Sequence, residues 1–203
     1  MKDFLILNNI NKDIIYDIRY YSNYNFVGNK IDGYEKPYAI LTKEAAEALK
    51  KINDELLTKG YCLKIFDAYR PVEAVNYFIK WTYNTNNDMK KYFYPNVNKE
   101  DLIKKGYISS NSSHSRGSTV DLTIVNLNTN QELDMGGTFD YFDKLSHVNY
   151  KNITKEQYSN RLFLHNIMLK YGFNSLEEEW WHFTLNNEPY PNTYFDFKVD
   201  DLL

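Results

Sequence analysis

Of the four histidines in the chain, His114 and His182 have acidic residues at informative spacing. The first stretch reads Ser112-Ser113-His114-Ser115-Arg116-Gly117-Ser118-Thr119-Val120-Asp121, and the second Glu177-Glu178-Glu179-Trp180-Trp181-His182-Phe183. On one helix His114 and Asp121 would stand about 10 Å apart along the axis, too far for one ion. A bend at Gly117, with a strand beginning near Thr119, lets them converge. In an ideal strand Glu179 and His182 face opposite sides. For both to serve one site, Glu179 must come from the turn before the strand, or from a bulge. Two histidines, one aspartate and a solvent position make a four-coordinate catalytic zinc site. A separate glutamate beside it takes a proton from the attacking water and passes it to a leaving amine. The other reading of each stretch is plain: surface carboxylates and satisfied histidines.

Elements must position these residues. Ala45, Ala48, Leu49, Ile52 and Leu56 recur at helical spacing after Thr42, a plausible N-cap, and Gly60 closes the segment. Tyr61 to Asp67 reads as a strand ending at Tyr69-Arg70-Pro71. The residue before a proline is pushed towards extended geometry, so Arg70 projects from a strand end. A second helix starts near Val72 and carries Val75, Phe78 and Ile79. Met89 to Ser113 lacks periodicity and reads as loop. Val120, Leu122 and Ile124 then alternate with Thr119, Asp121 and Thr123, the pattern of a half-buried strand. Asp121 faces away from the core those apolar residues build, where a lone carboxylate needs a partner or a cavity. Thr154-Lys155-Glu156-Gln157 is a capping box opening a helix whose buried face is Leu164, Ile167, Met168 and Tyr171, and Gly172 ends it. A final strand covers roughly Trp180 to Leu185. Helices and strands mix without a βαβα rhythm, which predicts an α+β fold with a mainly antiparallel sheet.

The chain has 203 residues, so residues 1–203 are read as one domain. Net charge is −3, with both signs interleaved, and no basic block offers an electrostatic footprint for nucleic acid. Apolar runs are far too short to span a membrane. The N-terminus begins a little like a signal peptide, but Asn8, Asn9 and Asn11 interrupt it. The lone cysteine, Cys62, rules out an intrachain disulfide framework and fits a reducing compartment. A complete chain of this kind is expected in the cytoplasm. The 19 tyrosines are spread evenly and read as general packing. The pattern specifies no oligomeric state.

The motif Ser-x-His-x-x-Gly-x-x-x-Asp followed by Glu-x-x-His resembles the zinc D,D-peptidases that process the D-Ala-D-Ala terminus of bacterial cell-wall precursors. Asp17-Ile18-Arg19-Tyr20, Phe66-Asp67-Ala68-Tyr69-Arg70-Pro71, Ser113-His114-Ser115-Arg116-Gly117, Glu132-Leu133-Asp134-Met135-Gly136, Phe139-Asp140 and Glu179-Trp180-Trp181-His182 narrow the resemblance to VanX-type D-alanyl-D-alanine dipeptidases. They occur in the family's order from residue 17 to residue 183. Each is weak alone, and the set is specific. The resemblance implies one Zn²⁺ on His114, Asp121 and His182, with Glu179 as general base and acid. It implies that Arg70 contacts the scissile carbonyl oxygen, that Tyr20, Ser112 and Asp140 hold the ammonium group of a small dipeptide, and that Phe78 lines the pocket. It also implies a small antiparallel sheet flanked by helices, with the zinc site in a cleft on the sheet.

One departure stands out. The family usually has alanine two residues before the aspartate ligand, and this chain has Thr119. On the alternating pattern Thr119 shares the face of Asp121, so its hydroxyl could bond a ligand or crowd the site and tune activity. The nearest rival is a related zinc D,D-carboxypeptidase or peptidoglycan endopeptidase acting on longer peptides. A second rival is a catalytically dead relative that only binds peptidoglycan fragments. Retention of the ligand set, Glu179 and Arg70 argues against the latter. A serine-hydrolase reading on Ser112 or Ser115 lacks the strand-turn-helix elbow such a nucleophile needs.

Overall fold

The computed structural model describes residues 2–202. In chain order its elements are strand β1 (Phe4–Ile6), helix α1 (Leu7–Ile10), β2 (Ile15–Tyr16), β3 (Ile40–Thr42), α2 (Lys43–Leu57), β4 (Tyr61–Asp67), α3 (Val72–Thr82), α4 (Lys90–Phe93), β5 (Thr119–Asn126), β6 (Gln131–Glu132), α5 (Lys155–Lys170), β7 (Phe173–Leu176) and β8 (Glu179–Leu185). The longer elements follow the local rules that predict them. α2 buries Ala45, Ala46, Leu49, Ile52 and Leu56 on one face, each large side chain worth about 1.5–3 kcal/mol when removed from water. Thr42 sits at its N-cap, but the Thr42 hydroxyl pairs with Ser118 Oγ at 2.7 Å instead of capping the helix. α5 opens with a complete capping box, Thr154 with Gln157. Its buried face holds Leu164, Ile167 and Met168. Tyr171 lies half-buried at the helix end with its hydroxyl on Glu55.

Six strands form a mixed sheet in the order β2-β4-β5-β8-β7, with β6 paired to β5 off that path. β2 runs parallel to β4, and the remaining pairs are antiparallel. A separate antiparallel pair joins β1 to β3. The sheet is therefore mixed and larger than the small, mainly antiparallel one expected. The difference lies in its edges: Ile15–Tyr16 and Phe173–Leu176 are too short to leave a periodic signature. β5 also departs from the half-buried strand expected, because both of its faces are covered. Val120, Leu122 and Ile124 are buried, and so are Thr119, Asp121 and Thr123. The segment from Met89 to Ser113 is mostly irregular, with one helical turn at α4 and a 3-10 turn at Lys99–Asp101. Phe93, Tyr94, Val97, Leu102 and Ile108 anchor it in the core.

Candidate active site

The end of β4, the turn Ser113–Arg116, the start of β5 and the middle of β8 come together at the sheet. β5 and β8 pair with Asp121 directly opposite His182. Gly117 ends the turn in the left-handed region, with φ +82°, a conformation open to glycine at little cost. The chain thereby bends from His114 into β5, and His114 reaches Asp121. His114 Nε2 lies 3.2 Å from Asp121 Oδ2, and His182 Nδ1 lies 3.1 Å from Asp121 Oδ1. One ligand atom from each of the three residues falls within 4.8 Å of the others.

Proton placement decides what this cluster can hold. His114 Nδ1 stands 2.7 Å from the Ala68 carbonyl, which can only accept. Nδ1 therefore carries the proton and Nε2 presents a lone pair. Ser113 Oγ lies 3.2 Å from His182 Nε2 and can accept its proton, leaving Nδ1 bare towards Asp121. His114 Nε2 and Asp121 Oδ1 are buried without a hydrogen-bond partner, an arrangement that is costly unless a cation sits among them. Burial pushes the Asp121 carboxyl upward, but His114 and His182 outweigh it and hold that carboxyl well below the usual range. For His182 burial opposes the charged form, yet the Asp121 carboxylate prevails and raises its pKa. Two imidazole nitrogens and a carboxylate, oriented in this way, fit a divalent metal of the zinc type.

Glu179 begins β8, and a register shift carries the pairing from Ser175–Phe183 to Leu176–Glu179. Four residues of β8 thus span one step of β7, a bulge that turns Glu179 to the same side as His182. Glu179 Oε2 lies 3.5 Å from His182 Nδ1. Burial pushes the Glu179 carboxyl up to about 7, with the charge on His182 offsetting part of the effect.

Arg70 follows β4. Its Nε and Nη2 both donate to Asp67 Oδ2, at 3.0 and 2.8 Å, and Nη2 is 3.7 Å from Asp121 Oδ2. Tyr34 donates its hydroxyl to the other Asp67 oxygen at 2.7 Å. Arg70 Nη1 points to Ser112 Oγ at 3.5 Å, and the guanidinium lies over the rings of Tyr20 and Phe78. Tyr20 donates to Asp140 Oδ2 at 2.8 Å in a buried pair. Burial, followed by the Asp121 charge, drives the Asp140 carboxyl well above the ordinary range. Asp140 adopts φ +60°, uncommon for a residue other than glycine, and such outliers cluster at working sites.

The residues given metal, catalytic or substrate roles from the sequence (His114, Asp121, His182, Glu179, Arg70, Tyr20, Ser112, Asp140 and Phe78) line one cavity of about 260 Å³. Thr119 does not enter it. Its hydroxyl pairs with Thr184 Oγ1 at 2.9 Å across the β5–β8 register, so it neither bonds a ligand nor crowds the cluster. Sequence reasoning missed three supports. Asp67 braces Arg70 and lies three residues ahead of it in the Phe66–Pro71 motif, a legible signal. Tyr34 gave no signal. Neither did Arg161 of α5, which is buried and donates to the carbonyls of Met135, Leu145 and His147. It thereby pins the loop that carries Asp140.

Comparison with known proteins identifies the family. The Peptidase M15 profile, described as D-ala-D-ala dipeptidase, matches residues 1–200. A D-alanyl-D-alanine dipeptidase of Enterococcus faecium is 42% identical over 197 residues, covering 97% of this chain and 98% of that protein. One of Streptomyces coelicolor is 36% identical over 198 residues, covering 97% and 98%. One of Escherichia coli is 31% identical over 173 residues, covering 85% and 79%. The chain belongs to the Peptidase M15 family of D-Ala-D-Ala dipeptidases.

Proposed function

We propose that this chain hydrolyses the free dipeptide D-Ala-D-Ala to two D-alanines with one zinc ion per chain. The observation that carries the reading is a single cavity holding two complementary features. One is the cluster in which His114 Nε2 and Asp121 Oδ1 are buried and unpartnered; the other is the buried Asp140, braced by Tyr20. His114, Asp121 and His182 would hold the metal. Bound there, zinc would supply Lewis acidity and make water acidic enough to lose a proton near neutral pH.

The protein's own groups do the rest. Glu179 takes a proton from the water that attacks the scissile carbonyl carbon. The carbon–nitrogen bond then breaks, and Glu179 returns the proton to the departing nitrogen, so that two D-alanines leave. Arg70 faces the carbonyl oxygen as negative charge grows on it. Asp140, Tyr20 and Ser112 receive the ammonium group, and Phe78 supplies an apolar wall. The lone buried Cys62 fits a reducing compartment such as the cytoplasm, and no helix among the described residues is long and apolar enough to cross a membrane. The family match over residues 1–200 supports reading 1–203 as one domain.

The test is release of D-alanine from D-Ala-D-Ala and from a pentapeptide ending in it, by purified protein loaded with zinc. Cleavage of the dipeptide alone is the expected result, and a preference for the pentapeptide would move the reading to a carboxypeptidase. Elemental analysis of His114→Ala and Asp121→Ala checks the ligands separately. Full zinc retention in both variants rules the assignment out.

A further inference from the structure

The zwitterionic dipeptide carries a second charge that the roles above leave without a partner: the carboxylate of its C-terminal D-alanine. An ionised carboxylate taken from water into a cavity needs a cation or several donors. Among the described residues lining the cavity, the arginines are Arg70 and Arg116, and no lysine joins them. Arg70 is committed through Nε and Nη2 to Asp67, close to the metal cluster.

Arg116 lies two residues after His114 in the same 3-10 turn, Ser113–Arg116, which Gly117 closes. Its side chain is 17% exposed. Glu188 fixes its direction: Nε donates to both Glu188 oxygens at 3.0 and 2.9 Å, and Nη2 lies 2.8 Å from Oε1. The Tyr194 ring stands 5.9 Å from the guanidinium carbon. Glu188 thus occupies the side-on edge, Nε with Nη2. The end-on edge, formed by Nη1 and the second hydrogen of Nη2, is the geometry with which a guanidinium grips a further carboxylate in two parallel bonds. Held in this way, Arg116 loses little freedom when a ligand arrives.

We propose that Arg116 reads the C-terminal carboxylate of the dipeptide and makes the enzyme selective for a free acid on the leaving-group side. This rests on the dipeptidase reading above. It assigns Arg116 to one end of the substrate and Asp140 to the other, so that chain length is measured at both ends.

The test compares kcat/KM for D-Ala-D-Ala and for D-alanyl-D-alaninamide in the zinc-loaded wild type, Arg116→Gln and Glu188→Gln, with zinc content measured in each. Wild type should prefer the acid. Arg116→Gln should lose roughly 30- to 1,000-fold on the acid, chiefly through KM, while staying within a few-fold on the amide. Glu188→Gln, which keeps the guanidinium but loosens its hold, should still favour the acid, by a smaller ratio than wild type. If Arg116→Gln loses zinc, Arg116→Met keeps the apolar stem and serves the same comparison. Equal losses on both substrates in Arg116→Gln would overturn the proposal and leave the pair a structural ion bridge. A wild type that cuts neither dipeptide but does cut a longer peptide overturns the dipeptidase reading instead.

Discussion

One oxygen of Asp67, Oδ2, receives both Nε and Nη2 of Arg70, at 3.0 and 2.8 Å. The buried carboxylate therefore sets the plane of the guanidinium, and Tyr34 sets the carboxylate from its other oxygen. Arg70→Ala should cost about 2.7–4 kcal/mol of transition-state stabilisation, seen in kcat far more than in KM. Asp67→Asn keeps Arg70 but loosens its aim. A hydrogen bond to a charged group is worth about 1.5–3 kcal/mol, so kcat should fall roughly 10- to 150-fold, with KM little changed and zinc retained. A rise in KM alone for either variant would mean that Arg70 binds the ground state and not the charge that grows on the carbonyl oxygen.

Glu179 reaches the site only because β8 bulges. The shift from Ser175–Phe183 to Leu176–Glu179 pairing puts Glu179 Oε2 3.5 Å from His182 Nδ1. General acid–base catalysis contributes about 10²–10⁴-fold, so Glu179→Gln should lose at least the lower figure in kcat while keeping its zinc. Steady-state kinetics beside elemental analysis read both quantities. A variant within a few-fold of wild type places the base elsewhere, with Glu178 the next candidate.

What the sequence made legible was local. The Tyr61–Asp67 strand, the helix starting at Val72 and the Thr154 capping box rest on periodicity and caps within a few residues of chain, and the structure has them at those places. The bulge at Glu179 could be posed as a condition but not met, because a bulge is defined by the partner strand. That partner, Phe173–Leu176, is four residues long and shows no alternation. Contacts across long separations were silent for the same reason: Tyr20 meets Asp140 from 120 residues away, and Tyr34 meets Asp67 from 33. The burial of Thr119, Asp121 and Thr123 was hidden because a polar side chain in a strand reads as solvent-facing. Here Thr119 pairs with Thr184, and Asp121 lies in the histidine cluster.

Gly117 makes a prediction that needs no catalysis. Its φ is +82°, and a Cβ added there would collide with the edge of the Phe4 ring. Phe4 is held in turn against Tyr69, Tyr190, Phe195 and Phe197, so the ring has little room to retreat. Gly117→Ala combines about 1–2 kcal/mol of backbone strain with about 1–3 kcal/mol of overpacking. In a chain of this length that should lower Tm by roughly 4–20 °C. Thermal unfolding of the zinc-loaded variant reads it, and an unchanged Tm would show that the turn relaxes freely.

Recognition of the ammonium end gives the sharpest separation from carboxypeptidases. Asp140 is buried, takes the Tyr20 hydroxyl on Oδ2 at 2.8 Å, and is held at φ +60° on a loop pinned by Arg161. Burial drives its carboxyl well above the usual range, so it is a group that gains from a cation placed against it. A free dipeptide brings that cation, whereas an acetylated amine or a longer chain brings a neutral amide and more bulk. Losing the charge partner of a buried group costs about 2–5 kcal/mol, or roughly 30- to several-thousand-fold in kcat/KM. N-acetyl-D-Ala-D-Ala should therefore be cut at least that much more slowly than D-Ala-D-Ala. Asp140→Asn should lose most of its rate on the free dipeptide and little on the acetylated one, so that the preference between them collapses. If wild type handles both substrates alike, Asp140 is not the ammonium site and nothing at that end of the cavity limits the substrate to two residues.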